Sequence, residues 1–119
     1  MEPLTTIKPS KLIMINLINR NKTGVLYMKT VILKGEEFIT KEKFHEILKN
    51  KLDLPKYYGE NLDALWDCLT TDIPYPVKIH WINVDKSIEL LGDYAKLALD
   101  IFIKAGEEAQ GNYIFTYEK

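Results

Sequence analysis

Three short runs of this sequence read as β-strands, and none can reach the next through a hairpin. They are Met28-Lys29-Thr30-Val31-Ile32-Leu33, Val77-Lys78-Ile79-His80-Trp81 and Tyr113-Ile114-Phe115-Thr116-Tyr117. The second alternates apolar and polar residues with period two, the mark of a half-buried strand. Between consecutive runs lie two stretches of helical period. A helical crossover joins parallel strands, whereas antiparallel neighbours need only a tight turn. The order strand, helix, helix, strand, helix, helix, strand therefore predicts an α/β fold: a small three-stranded parallel sheet packed with about four helices. Right-handed crossovers are the default for such a sheet.

Each helix carries its own signals. Thr40 is an N-cap residue for a helix running to about residue 52. Ile39 and Phe44 have the spacing of a hydrophobic staple, and Phe44, Ile47, Leu48 and Leu52 form a buried face. Leu54-Pro55 ends that helix, because the residue before a proline disfavours the α region. A second helix spans 62–70, capped by Asn61, with Leu62, Leu65 and Leu69 in one stripe. A third covers 87–91 and stops at Gly92. Asp93 caps the fourth, whose buried stripe is Tyr94, Leu97, Ala98, Ile101, Phe102 and Ala105. Pro74-Tyr75-Pro76 and Gly111-Asn112 break the chain before the second and third strands.

A chain of 119 residues fits one domain with a modest core. Its formal net charge of −1 hides an asymmetry. Lys8, Lys11, Arg20 and Lys22 face only Glu2 in the first segment, so the remainder is acidic. That argues against direct nucleic-acid binding, which needs a basic footprint. The single cysteine, Cys68, excludes an internal disulfide and a cysteine-based zinc site. It fits a reducing compartment, and the expected location is cytoplasmic. The run Leu12-Ile13-Met14-Ile15-Asn16-Leu17-Ile18 is too short to span a bilayer and has no small-residue cleavage site soon after it. Residues 1–27 read as an N-terminal extension to a domain at 28–119. Two readings stand for it. Met28 is the natural initiator, with codons for Gly24-Val25 able to spell a ribosome-binding sequence; or the extension adds a strand to the domain.

The chemistry concentrates in Tyr57-Tyr58-Gly59-Glu60-Asn61-Leu62-Asp63-Ala64-Leu65-Trp66-Asp67-Cys68-Leu69-Thr70. Glu60, Asp63, Asp67 and Asp72 are acidic, and no Lys or Arg lies between Lys56 and Lys78. Asp63 and Asp67 are four apart and share a helix face. An acid in the first turn favours the helix dipole, which accounts for Asp63. Asp67 lies beyond that turn, and two like charges at this spacing cost a few tenths of a kcal/mol. Of the tyrosines, Tyr58 is expected in the core and Tyr57 outside it. Trp66 is expected to be partly buried and Cys68 to lie on the buried side. Gly59 reads as a turn residue of positive φ. An acidic helix flanked by Tyr and Trp suits a basic partner. It suits catalysis poorly, because no base or nucleophile accompanies it. The competing enzyme reading has Glu60, Asp63 and Asp67 holding Mg²⁺ in a hydrolase. His45-Glu46-Ile47-Leu48-Lys49 fails as a zinc-protease helix, since Lys49 stands in the second histidine's place.

From Leu54-Pro55 through Thr70 the chain closely resembles the barstar family, intracellular inhibitors of the ribonuclease barnase. Val31-Ile32, Tyr75-Pro76, Phe102 and Ala105 extend the likeness from Met28 to the C-terminus. The resemblance implies a barstar-like fold and a one-to-one complex of a monomer with a basic, extracellular-type, barnase-like ribonuclease. It implies no cofactor, no metal, and no contact with nucleic acid or membrane. Asp67 would be the central mimic of an RNA phosphate, facing arginines and a catalytic histidine. Asp63 would meet backbone and basic groups one turn away, and Tyr57 would stack on the catalytic histidine. Gly59, Asn61, Leu62, Trp66 and Thr70 would complete the surface. The chain departs from the family at its edge. Thr71-Asp72-Ile73-Pro74 replaces a Gly-Trp-x-Glu, Lys104 stands where the family has an acid, and the family's second cysteine has no counterpart. Those departures imply weaker binding to barnase itself, or the same binding mode toward another ribonuclease or another basic protein.

Overall fold

The computed structural model describes residues 28–72, 76–108 and 113–119. Within them β1 (Lys29–Lys34), β2 (Val77–Ile82) and β3 (Tyr113–Tyr117) form a parallel sheet in the order β1-β2-β3. Val31 pairs with Ile79 and Ile79 with Phe115, so the strands are in step. One face of the sheet is buried through Val31, Leu33, Val77, Ile79, Trp81 and Tyr113. This is the predicted α/β arrangement, with four helices: α1 (Lys41–Lys51), α2 (Leu62–Asp67), α3 (Val84–Leu91) and α4 (Asp93–Glu108). None is long and apolar enough to cross a membrane. The expectations for residues 1–27, Pro74, Tyr75, Gly111 and Asn112 lie outside the described residues.

The α1 cap forms as its sequence predicts, with the Lys43 amide donating to Thr40 Oγ1 at 3.0 Å. The staple differs. Ile39 is 60% exposed, and Phe38, fully buried, meets Phe44 edge-on with ring centroids 4.8 Å apart. Phe38 stands at the centre of a tight turn, φ −85° and ψ 67°, in which the Ile39 amide donates to the Glu37 carbonyl at 2.9 Å, and the turn carries the ring of Phe38 into the core and leaves Ile39 outside. A 3₁₀ turn at Gly35–Glu37 fills the polar connection after β1. The helix expected over 62–70 is α-helical only to Asp67, then widens into a π-turn at Cys68–Asp72. The hydroxyls of Thr70 and Thr71 donate there to the carbonyls of Trp66 and Asp67, at 2.8 and 2.6 Å. α3 starts earlier than expected, at Val84. It stops at Gly92, where φ is +63°. On α4 the buried stripe is Ala95, Ala98, Phe102 and Ala105, while Leu97 is 56% exposed. Small residues line this stripe because they let the helix approach the core closely.

Trp81 lies at the centre, fully buried among Phe38, Phe44 and Phe102. Its indole N–H donates to Ser87 Oγ at 3.1 Å, and the Ser87 hydroxyl donates to the Gly35 carbonyl at 3.0 Å. This relay joins β2, α3 and the end of β1. Gly35 is obligatory for steric reasons: a Cβ there would overlap the backbone oxygen of Asn83 and press on Ser87 Oγ. Gly35→Ala is expected to destabilise the protein by about 1–3 kcal/mol, the scale of overpacking. Urea denaturation followed by circular dichroism measures it, and an unchanged midpoint would contradict the close approach.

Candidate functional site

The segment between α1 and α2 turns twice before the acidic helix begins. The Leu54 amide donates to the Lys49 carbonyl at 3.0 Å, and the Tyr58 amide to the Pro55 carbonyl at 2.9 Å. The second turn aims Tyr58 into the core and leaves Tyr57 78% exposed. Glu60, not Gly59, has positive φ, at +54°. That overturns the reading of Gly59. Its want of a side chain has another cause: a Cβ would come within 3.3 Å of Ala64 Cβ. The left-handed backbone at Glu60 costs roughly 1–2 kcal/mol for a residue with a side chain. Such strain persists where surrounding structure imposes it, commonly at functional sites.

Asn61 imposes it from the far side. Its Oδ1 accepts from the Ala64 amide at 2.8 Å, capping α2, and its Nδ2 donates to the Gly59 carbonyl at 3.3 Å. Both ends of that side chain therefore hold the turn. Leu65 is fully buried, with Leu62 and Trp66 half-buried against the core. This fixes the rotation of α2 and turns Asp63 and Asp67 outward. Neither carboxylate forms an ion pair among the described residues. Thr70, half-buried, holds the π-turn through its hydroxyl. Of the residues singled out in the sequence, Tyr57, Gly59, Asn61, Asp63 and Asp67 are exposed, and Leu62, Trp66 and Thr70 are half-buried. No three His, Cys, Asp or Glu side chains group to hold a metal ion among the described residues.

Cys68 lies under this surface. Burial, then a hydrogen bond with Asp72, pushes its thiol up to about 11, so it packs as a neutral group and is no nucleophile. On α4, Lys104 is exposed and pairs with Asp100 at 3.0 Å.

His45 is the residue that sequence reasoning missed. It is 1% exposed on α1 and shares hydrogen bonds with the hydroxyls of Tyr58, at Nδ1, and Tyr94, at Nε2. Its place beside Phe44 on the buried stripe was the available signal; its two tyrosine partners had none. A neutral imidazole suits this setting, one nitrogen donating and the other accepting. Burial lowers its pKa below the ordinary 6.5, while Glu60 and Glu42 pull it back up. The unfolded chain therefore takes up this proton first. The stability from His45 is fully present above about pH 6.5 and declines as pH falls toward the folded-state value. The expected slope reaches at most about 1.4 kcal/mol per pH unit. Urea denaturation at several pH values, on the parent and on His45→Phe, checks it: the parent loses stability toward acid and the variant loses less.

Two comparisons bear on this surface. The family model of barstar, the barnase inhibitor, matches residues 28–116. The "Putative ribonuclease inhibitor YrdF" of Bacillus subtilis (strain 168) is 42% identical over 91 residues, which cover 76% of this chain and the whole of that relative.

Proposed function

Because this chain belongs to the barstar family, we propose that it inhibits a barnase-like ribonuclease by seating α2 in the enzyme's active-site cleft. A cleft that grips RNA phosphates presents lysine and arginine. Carboxylates held in a fixed geometry can occupy the same positions through charge-assisted hydrogen bonds. The observation that carries this reading is the pair of outward carboxylates, Asp63 and Asp67, without counter-ions among the described residues, on a helix whose rotation is fixed by Leu65. Tyr57, exposed in the loop that leads into α2, would offer an aromatic face to a catalytic imidazole. In this role the protein works as a monomer in the cytoplasm, silencing the enzyme before export. Neither catalysis nor a cofactor enters into it.

Calorimetric titration against a set of barnase-type ribonucleases, with RNA cleavage followed in parallel, tests the proposal. One-to-one binding that abolishes cleavage is expected. Association should slow as salt is raised, since exposed charges steer the encounter. Absence of binding to every enzyme in the set would defeat this reading. It would favour the second one, a barstar-fold module for another basic protein. Lys104, exposed on α4 and paired only with its helix neighbour Asp100 among the described residues, is the observation on that side.

A further inference from the structure

Tyr57 and Tyr58 are adjacent, yet one is exposed and the other is in the core. Where Tyr58 sits therefore decides where Tyr57 stands and from what point the turn into α2 departs. Besides packing, the Tyr58 ring is held at its hydroxyl, by His45. The other nitrogen of His45 is held by the Tyr94 hydroxyl, at 2.6 Å. The chain Tyr58–His45–Tyr94 runs from the partner-facing loop, through α1, to the first turn of α4. All three rings also touch: Tyr58 and His45 have centroids 5.6 Å apart, His45 and Tyr94 5.9 Å. Nothing in the inhibitory chemistry of α2 requires a polar group at position 45. An apolar residue there would continue the stripe of Phe44 and Leu48. A nearly inaccessible histidine with both nitrogens engaged is instead a device for fixing its two partners.

We propose that His45 is a positioning residue for the partner-binding surface: its bonds to Tyr58 and Tyr94 hold Tyr57 and the first turn of α2 in the geometry that meets the ribonuclease. This deepens the inhibitor reading and rests on it for its partner. Breaking the two hydrogen bonds leaves the sheet, the α1 cap and the packing of Trp81 on Phe38 and Phe102 in place, and Phe44, which packs on the rings of His45 and Tyr94, keeps an aromatic neighbour when position 45 carries phenylalanine. The loop then loses the hydroxyl anchor of Tyr58, and Tyr57 samples orientations that miss the enzyme. Acid acts on the same link. A protonated ring donates from both nitrogens and places a charge in a buried site. The groups facing it are Glu42 and Lys41 on α1, Glu60 and Tyr58 on the loop, Cys68 after α2, and Tyr94 on α4, over whose ring the Lys41 ammonium lies 4.6 Å from the centroid. The two carboxylates oppose the loss without removing it. The complex is therefore expected to loosen toward mild acid through His45.

His45→Phe and His45→Gln separate positioning from mere packing. Phenylalanine keeps an aromatic ring beside Phe44 and removes both hydrogen bonds. Glutamine restores one donor and one acceptor. In the free protein, amide hydrogen exchange is read at Tyr58 and Ala64, whose N–H groups bond the Pro55 carbonyl and Asn61 Oδ1. It is compared with exchange at Ile79 and Trp81 in β2. The expected result for His45→Phe is roughly tenfold faster exchange at Tyr58 and Ala64, the scale of one net hydrogen bond, with β2 unchanged. Dissociation of a bound barnase-type ribonuclease should quicken by about the same factor and lose the parent's acceleration toward acid. His45→Gln should recover most of both. Exchange that rises equally in β2, or a folded His45→Phe protein that binds as the parent does, would overturn the proposal. If the parent itself binds no ribonuclease, the inhibitor reading fails. The exchange pattern then decides positioning by itself: local loosening at Tyr58 and Ala64 supports it, and none overturns it.

Discussion

Asp67→Ala is expected to weaken the complex with a barnase-type ribonuclease by about 2–5 kcal/mol, some thirtyfold to several thousandfold. The range is the general one for truncating one partner of a buried, hydrogen-bonded charge pair at an interface. Truncation removes the carboxylate and leaves the enzyme's phosphate-binding cations buried without a partner, and much of the cost comes from that second part. The free protein should hardly notice. Asp67 is exposed and makes no ion pair among the described residues, and surface changes of this kind fall within about 0.5 kcal/mol. Relief of repulsion from Asp63 would tend to offset even that. Titration of parent and variant, alongside thermal melts of each, reads both halves of the expectation. Equal affinities would show that α2 does not enter the cleft. The double variant with Asp63→Ala should cost less than the two single changes together, since both acids meet one set of cations.

Trp81→Ala is expected to cost about 3–5 kcal/mol of folding stability. Domains of this kind have only about 5–15 kcal/mol in total, so the variant would sit near the edge of folding. The cause is specific. The ring contacts Phe38, Phe44 and Phe102 at centroid distances of 5.6, 6.1 and 5.7 Å, and its loss opens a cavity where α1, α4 and the sheet meet. It also breaks the relay through Ser87 to Gly35. Urea denaturation by circular dichroism is the appropriate probe, because the substitution removes an intrinsic fluorophore. A loss below about 1 kcal/mol would mean that the neighbours collapse into the space. Under conditions where the variant remains folded, it should bind as the parent does.

The parallel sheet was legible because helical stretches between strand-like runs leave no other connection. The caps were legible too, since Thr40 and Asn61 act within three residues of themselves. So was the division of labour between Tyr57 and Tyr58. The misreadings share a physical origin. Ile39 and Leu97 were assigned inward on hydrophobicity, but Phe38 and Ala95 hold the buried positions, where ring size and close helix approach decide. Gly59 was assigned the left-handed turn because glycine adopts it freely. The chain places that turn at Glu60, and Asn61 holds it there from both ends. The π-turn depends on two threonine hydroxyls reaching back to backbone carbonyls, which no hydrophobic period records. His45 depends on Tyr58 and Tyr94, whose meeting is set by tertiary structure alone.

The step-for-step pairing of β1 with β2 joins residues far apart along the chain, Lys29 with Val77 at its start. The bonds that seat Tyr58 and Tyr94 on His45 are likewise non-local, spanning 13 and 49 residues. These pairings wait for long loops to close, the slow part of folding for parallel topologies. The acidic helix, only six residues long, is too short to persist alone and waits for the same contacts. The surface around α2 is thus completed only by the last contacts to form.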